Sequence, residues 1–255
     1  AGAIYINNPY GEGLANMFSK EFTRLGGTIT AMVPSEPGQT SYLSEVKKAT
    51  AGNPDVLLAM TYPVTAQIYI REAIEGGHAN KFMFVDGTKA QDMFDAMTKE
   101  HGTNFFDGMY GTAPGAPDSR AKSKFEELYK AANNGDMPTD PFIAETFDAV
   151  ILLGLAAFAA LHTDECDSIK TCLRRIATDA GDSDPQIEPG DMKLAISMLK
   201  KGDDINYEGA AGSQEIDENG DVNNTIEVWT IKNGKIEITF DKTDNNYFIT
   251  FHNNA

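Results

Sequence analysis

Short apolar runs alternate with amphipathic stretches along residues 1–112, with only a few residues between them. This alternation constrains the fold more than any other feature of the chain. Residues 3–7 read as a short apolar strand. Residues 11–25 carry Leu14, Met17, Phe18, Phe22 and Leu25 at helical spacing, and Gly26-Gly27 ends that helix. A β-rich run at 28–33 and a helix at 41–51 follow. Next come a buried strand at 55–60 and a helix at 63–75 that opens on Pro63 and stops at Gly76-Gly77. A strand at 81–85, a helix at 89–98 and a short strand at 108–112 complete the series. Repeated βαβ units predict a parallel sheet with helices on both faces.

The remainder reads differently. Residues 118–132, 140–161, 167–178 and 191–200 look helical, and strand signals return only at 212–216, 225–231 and 235–240. The expected organisation is a complete α/β lobe at 1–114, a mostly helical part of another lobe at 115–212, and strands returning to the hinge and first lobe at 213–240. The polar tail at 241–255, with Tyr247, Phe248 and Phe251 among asparagines, has no assignment. Residues 142–161 are apolar on most faces, which demands burial on more than one side. The second half offers few strands to cover them, and a partner segment upstream of Ala1 is the expected cover. The uncharged apolar run at 149–161 is 13 residues long, whereas a membrane span takes about 20. A buried helix is therefore expected, and no membrane insertion. The chain starts as a strand at Ala1-Gly2-Ala3-Ile4, so a targeting segment has been removed or the chain is a fragment.

The 255 residues suffice for two domains or one large one. The formal net charge is −17, from 21 basic and 38 acidic side chains. Such a surface repels nucleic acid and anionic membrane. It serves solubility, or a cationic partner. Cys166 and Cys172 would face different ways inside one regular helix. If the helix begins near Asp167 or Ser168, Cys166 lies in the preceding loop and a local disulfide becomes possible. Export, where disulfides persist, would favour it. His78, His101, His162 and His252 lack ligand spacing, so no metal is expected. In Asp217-Glu218-Asn219-Gly220-Asp221 the glycine falls one place early for a calcium loop and Val228 takes the closing-acid position, leaving a hairpin turn as the better reading. Ser119 and Ser123 lack a nucleophile-elbow context. Gly11-x-Gly13 lacks the third glycine of a dinucleotide fingerprint. Met17, Met60, Met83 and Met93 read as core filling. No activated nucleophile, acid–base pair or cofactor loop is evident, so neither enzyme activity nor a cofactor is expected.

In an open parallel sheet, ligands bind beyond the carboxyl ends of the strands, near the reversal of strand order. The residues there are Asn7-Asn8-Pro9-Tyr10-Gly11-Glu12-Gly13, Thr61-Tyr62-Pro63 and Asp86-Gly87-Thr88. In the order 2-1-3-4 the first, third and fourth strands are neighbours, so Tyr10, Tyr62 and Asp86 would line one crevice. Tyrosines offer flat apolar walls with a hydroxyl tip, and a carboxylate grips an ammonium. The alternatives are a packing residue at the start of a helix for Tyr10, a ring wedged before Pro63 for Tyr62, and a turn or helix cap for Asp86.

Several stretches, in their order and spacing, resemble the periplasmic binding proteins of branched-chain amino-acid ABC transporters. They are Asn8-Pro9-Tyr10-Gly11-Glu12-Gly13-Leu14, Gly26-Gly27, Asn53-Pro54-Asp55-Val56 and Phe84-Val85-Asp86-Gly87. Downstream come Phe147-Asp148-Ala149-Val150, Asn206-Tyr207-Glu208-Gly209-Ala210-Ala211-Gly212 and Asp217-Glu218-Asn219-Gly220-Asp221-Val222. The resemblance covers about residues 3–235 and begins at the family's first crossing between lobes, so the N-terminal half-lobe with its serine/threonine loop has no counterpart. It implies an α/β type I periplasmic-binding-protein fold, two Rossmann-like lobes joined by a hinge, one complete and one partial. It implies an extracytoplasmic receptor that holds a small amino-acid-like ligand between lobes and delivers it to an ABC permease. Tyr10, Tyr62 and Asp86 then contact the ligand, with Asp86 facing its amino group. A sensing domain of a signalling protein or regulator is the alternative on the same fold.

Overall fold

A computed structural model describes residues 1–135, 137–138, 140–164, 166–178, 185–218, 220–222 and 225–242; the tail at 243–255 and Asn219 lie outside them. Among these, the chain divides into two units, the first holding the described residues of 1–113, 140–141 and 227–240, the second those of 114–138, 142–226 and 241–242.

In the first unit the expected alternation is present as β1 (Gly2–Ile6), α1 (Pro9–Arg24), β2 (Ala31–Ser35), α2 (Leu43–Thr50), β3 (Leu57–Met60), α3 (Pro63–Glu75), β4 (Phe82–Phe84), α4 (Gln91–His101) and β5 (Tyr110–Gly115). A 3-10 turn at Asp86–Thr88 separates β4 from α4. β9 (Thr225–Lys232) and β10 (Lys235–Lys242) join through a two-residue turn at Asn233-Gly234, both at positive φ. The sheet order is β10-β9-β5-β4-β3-β1-β2, and β1 pairs in parallel with both β2 and β3, β3 with β4, and β4 with β5. Strands β2, β1, β3 and β4 therefore stand in the common order 2-1-3-4, with the reversal between β1 and β3.

Period-two alternation sorts the strand side chains onto two faces. Ile4, Leu57, Ala59, Phe82 and Phe84 face a core closed by Tyr42, Val46, Tyr69, Ile70 and Phe94 of α2–α4, with Trp229 of β9 stacked on Phe84. Ala3, Leu58 and Met60 face the other way, against Ala15, Leu14, Phe18 and Phe22 of α1. Met17 and Leu25 depart from the expected core role, at 58% and 64% exposed. Met17 lies a residue off the Leu14–Phe18–Phe22 stripe, about 100° around the helix, and Leu25 caps the helix rather than extending it.

The second unit holds α5 (Arg120–Asn133), α6 (Ile143–His162), α7 (Ile169–Ala177) and α8 (Met192–Leu199). A small sheet, β6 (Gln186–Ile187), β7 (Asn206–Gly209) and β8 (Gly212–Ser213), pairs β6 and β7 in parallel and β7 and β8 antiparallel. The first two strands were not expected. At two and four residues they are too short to show a period, and Asn206 and Gly209 disguise the second. Residues 212–216 hold only a two-residue strand, and Ile216 forms an isolated antiparallel bridge with Val222. Within the turn between them, Asp217 Oδ1 accepts the Gly220 and Asp221 amides at 2.9 Å each. Ser168 caps α7, so Cys166 precedes the helix and is bonded to Cys172, with Cα atoms 5.3 Å apart.

A buried carboxylate organises this unit. Asp148 of α6 accepts from Tyr207 Oη and the Ala210 amide on Oδ1, and from the Ala211 amide on Oδ2, all at 2.8 Å. Gln214 Nε2 adds a 3.4 Å contact. A side chain at 209 would strike Asp148 Oδ2 at 2.4 Å, which leaves glycine. Burial pushes the Asp148 carboxyl above its ordinary value, outweighing the donors that favour its charged form.

α6 is long and apolar enough to cross a membrane by length and composition alone, and a third of its most apolar window is buried (33%). Leu152, Leu155, Ala156 and Ala159 pack with Cys172, Ile176, Ile187 and Tyr207. Val150, Leu153 and Leu161 are exposed on another side. α7, α8 and β7 cover the side with Leu152, Leu155 and Ala159, and Phe125 of α5 packs on Phe147 nearer the start of the helix, but nothing among the described residues covers the side with Val150, Leu153 and Leu161, so burial falls short of the expectation.

Two outcomes are expected. The 255-residue chain should self-associate through the bare flank of α6, and Leu153→Ser should lower the association measured by sedimentation. Asp148→Asn places an amide against the Ala211 amide and should reduce stability by roughly 2–4 kcal/mol, one or two orphaned buried donors at about 1–3 kcal/mol each, read by urea unfolding. Because the folded carboxyl binds its proton more tightly than the unfolded one, that protonation stabilises the fold below the ordinary carboxylate range. The contribution is lost as pH rises through the raised value, and a 13C carboxyl titration should place Asp148 above exposed aspartates.

Candidate functional site

Tyr10, Tyr62 and Asp86 converge at the carboxyl ends of β1, β3 and β4. Tyr10 occupies the first turn of α1 behind Pro9, where Asn8 caps the helix by accepting the Gly11 amide at 3.0 Å. Tyr62 is the residue before Pro63 at the start of α3, and it is exposed. Asp86 opens the 3-10 turn after β4 and is half-buried.

The Tyr10 hydroxyl donates to Asp86 Oδ1 at 2.8 Å and accepts the Gly87 amide at 3.1 Å. Its ring lies almost parallel to that of Tyr62, with centroids 5.6 Å apart and planes inclined by 11°. Asn8 Nδ2 reaches Tyr62 Oη at 3.4 Å. Burial first, and then the Asp86 charge, hold the Tyr10 phenol well above the ordinary tyrosine range, so it remains a donor to the carboxylate. Asp86 Oδ2 has no hydrogen-bond partner among the described residues. The site thus offers an apolar aromatic wall beside a carboxylate with one oxygen open to a donor. Tyr10 therefore bonds to Asp86 and stacks on Tyr62, in addition to its place in the first turn of α1, with Tyr62 directly before Pro63 and Asp86 at the start of the 3-10 turn.

Asn8 and Gly87, which the sequence places past the strand ends without a role of their own, and Lys89, which it does not single out, also contribute. Asn8 links the α1 cap to Tyr62, and the asparagine before Pro9 is a cap signal that could have revealed it. Gly87 permits a close approach: a Cβ there would lie 2.7 Å from both the Thr61 carbonyl oxygen and Tyr10 Oη. Lys89, just past the turn, forms a buried ion pair with Glu227 on β9, and no sequence signal connects those positions.

Residues 1–234 match the family model described as the receptor family ligand binding region. The chemotactic signal transduction system substrate-binding protein BasB of Halobacterium salinarum is 22% identical over 217 residues, which is 85% of this chain and 48% of that protein. The leucine-binding protein LivK of Thermotoga maritima has a TM-score of 0.66 at 22% identity, covering 94% of this chain and 60% of its own. The branched-chain amino acid transporter substrate-binding protein LivJ of Streptococcus pneumoniae, solved with isoleucine, has a TM-score of 0.60 at 18% identity, covering 93% and 59%. The chain spans about half the length of BasB and about three fifths of the two solved proteins.

Gly87→Ala is expected to push Tyr10 off Asp86, since the opposing Thr61 carbonyl is a backbone atom directly after β3 and cannot swing aside as a side chain can. The cost should be roughly 1–3 kcal/mol, as for other overpacking, measured by urea unfolding.

Proposed function

This chain belongs to the receptor family of ligand-binding regions and has the type I periplasmic-binding-protein fold, and on that premise we propose that it is an extracytoplasmic receptor that captures a small amino-acid-like molecule without altering it. The observation that carries the reading is the open oxygen of Asp86 beside the stacked Tyr10 and Tyr62 rings. A ligand ammonium fits the carboxylate as a charge-assisted hydrogen bond, and an aliphatic side chain fits the aromatic wall. The Cys166–Cys172 bond supports a location outside the reducing cytoplasm, and the surplus of acidic groups disfavours nucleic-acid partners.

The partner we propose is the permease of an ABC importer, to which the loaded receptor delivers its ligand. The chemotactic role of BasB favours a second reading, in which the same capture signals to a receptor in the membrane. Deleting the gene separates them: loss of amino-acid uptake supports delivery, and loss of attraction with intact uptake supports sensing.

Calorimetry with L-leucine tests the capture itself. Asp86→Asn keeps the shape and removes the charge, and should cost about 2–5 kcal/mol, roughly a 30-fold to several-thousand-fold loss of affinity. Tyr10→Phe and Tyr62→Phe should cost about 0.5–1.5 kcal/mol each. If Asp86→Asn binds L-leucine as tightly as the parent, the amino-acid reading fails, and a neutral amide such as isovaleramide becomes the better ligand.

A further inference from the structure

Lys89 and Glu227 are 138 residues apart in the chain, yet their side chains pair inside the first unit at 6% and 7% exposed. Burying two charges costs several kcal/mol per ion before their attraction offsets it, and an apolar pair of similar volume is often no less stable. Stability alone therefore accounts poorly for the pair. Its position accounts for it better. The Lys89 amide donates to the Asp86 carbonyl at 3.0 Å and closes the 3-10 turn. Thr88 Oγ1 braces the same turn, accepting the Val85 amide at 3.0 Å and donating to the Val85 carbonyl at 2.9 Å. At the other end, Glu227 is the first residue of the first unit after the chain leaves the second at Ile226. It lies on β9, which Trp229 and Ile231 anchor in the core and the Ile231 amide ties to the Met109 carbonyl at 3.2 Å.

We propose that Lys89 and Glu227 are positioning residues that pin the Asp86–Lys89 turn to β9 at the point where the backbone crosses between units. This rests on the reading of Asp86 as the partner of the ligand's ammonium. The turn is braced by Thr88 and held to Tyr10 by the Asp86 and Gly87 hydrogen bonds, but none of these ties it to β9. The ion pair supplies that tie. It also makes the Asp86 carboxylate follow any displacement of the first residues of β9, adding a polar link at the turn to the stacking of Trp229 on Phe84.

Hydrogen exchange on the ligand-free protein tests this independently of what the receptor binds. In the parent, the Gly87 and Lys89 amides should open together with the amides of β9. In the double variant Lys89→Met with Glu227→Leu, which leaves no orphaned charge, the Gly87 amide that donates to Tyr10 should exchange at least tenfold faster while the urea midpoint stays close to the parent's. Glu227→Gln, which retains an acceptor for Lys89, should restore most of the protection. Gly87 and Lys89 opening independently of β9 in the parent would overturn the proposal without any variant. So would a folded double variant with unchanged exchange at Gly87. Failure of L-leucine to bind would instead count against the capture reading and leave these exchange outcomes intact.

Discussion

Parallel pairing of β1, β3 and β4 makes three consecutive strands end at the same edge of the sheet, and the candidate site depends on it. The register Ile4↔Ala59 and Leu57↔Phe82 aligns the strand ends, so residues 76 positions apart in the chain, Tyr10 and Asp86, come within hydrogen-bond distance. A one-residue slip would turn every core side chain to the other face, and the aromatic packing of Phe84 with Phe94 and Trp229 resists it. The site is built on loops whose positions are set by that rigid layer, with Gly87 allowing the last of them to close on the first.

The second unit reaches order by a different route. With only short strands in its sheet, it relies on one carboxylate to join α6 to the β7–β8 segment, and Asp148 does so through the Tyr207 hydroxyl and two backbone amides. The two stretches around Asp148 and Tyr207 that resemble the family are thus two halves of one contact. The disulfide fixes the start of α7 against the same helix layer. What these devices do not cover is the outer flank of α6, where Val150 and Leu153 stay in solvent.

The sequence by itself determined the βαβ alternation and the parallel sheet, because period-two and period-3.6 patterns and glycine stops are local properties; the strand order, for which the sequence reading assumes the common 2-1-3-4, is a property of the assembled sheet. The sequence also placed Tyr10, Tyr62 and Asp86 together, because residues beyond neighbouring parallel strands must converge. It did not reveal β6 and β7, which are too short to carry a period, nor which side of α6 is covered, since a helix apolar on most faces does not say where its neighbours lie. Only the tertiary structure decided that Tyr10 holds Asp86 through its hydroxyl, that Gly87 is needed for that approach, and that Lys89 finds Glu227. Those contacts span long stretches of chain, and no local pattern encodes a distance that the fold alone sets.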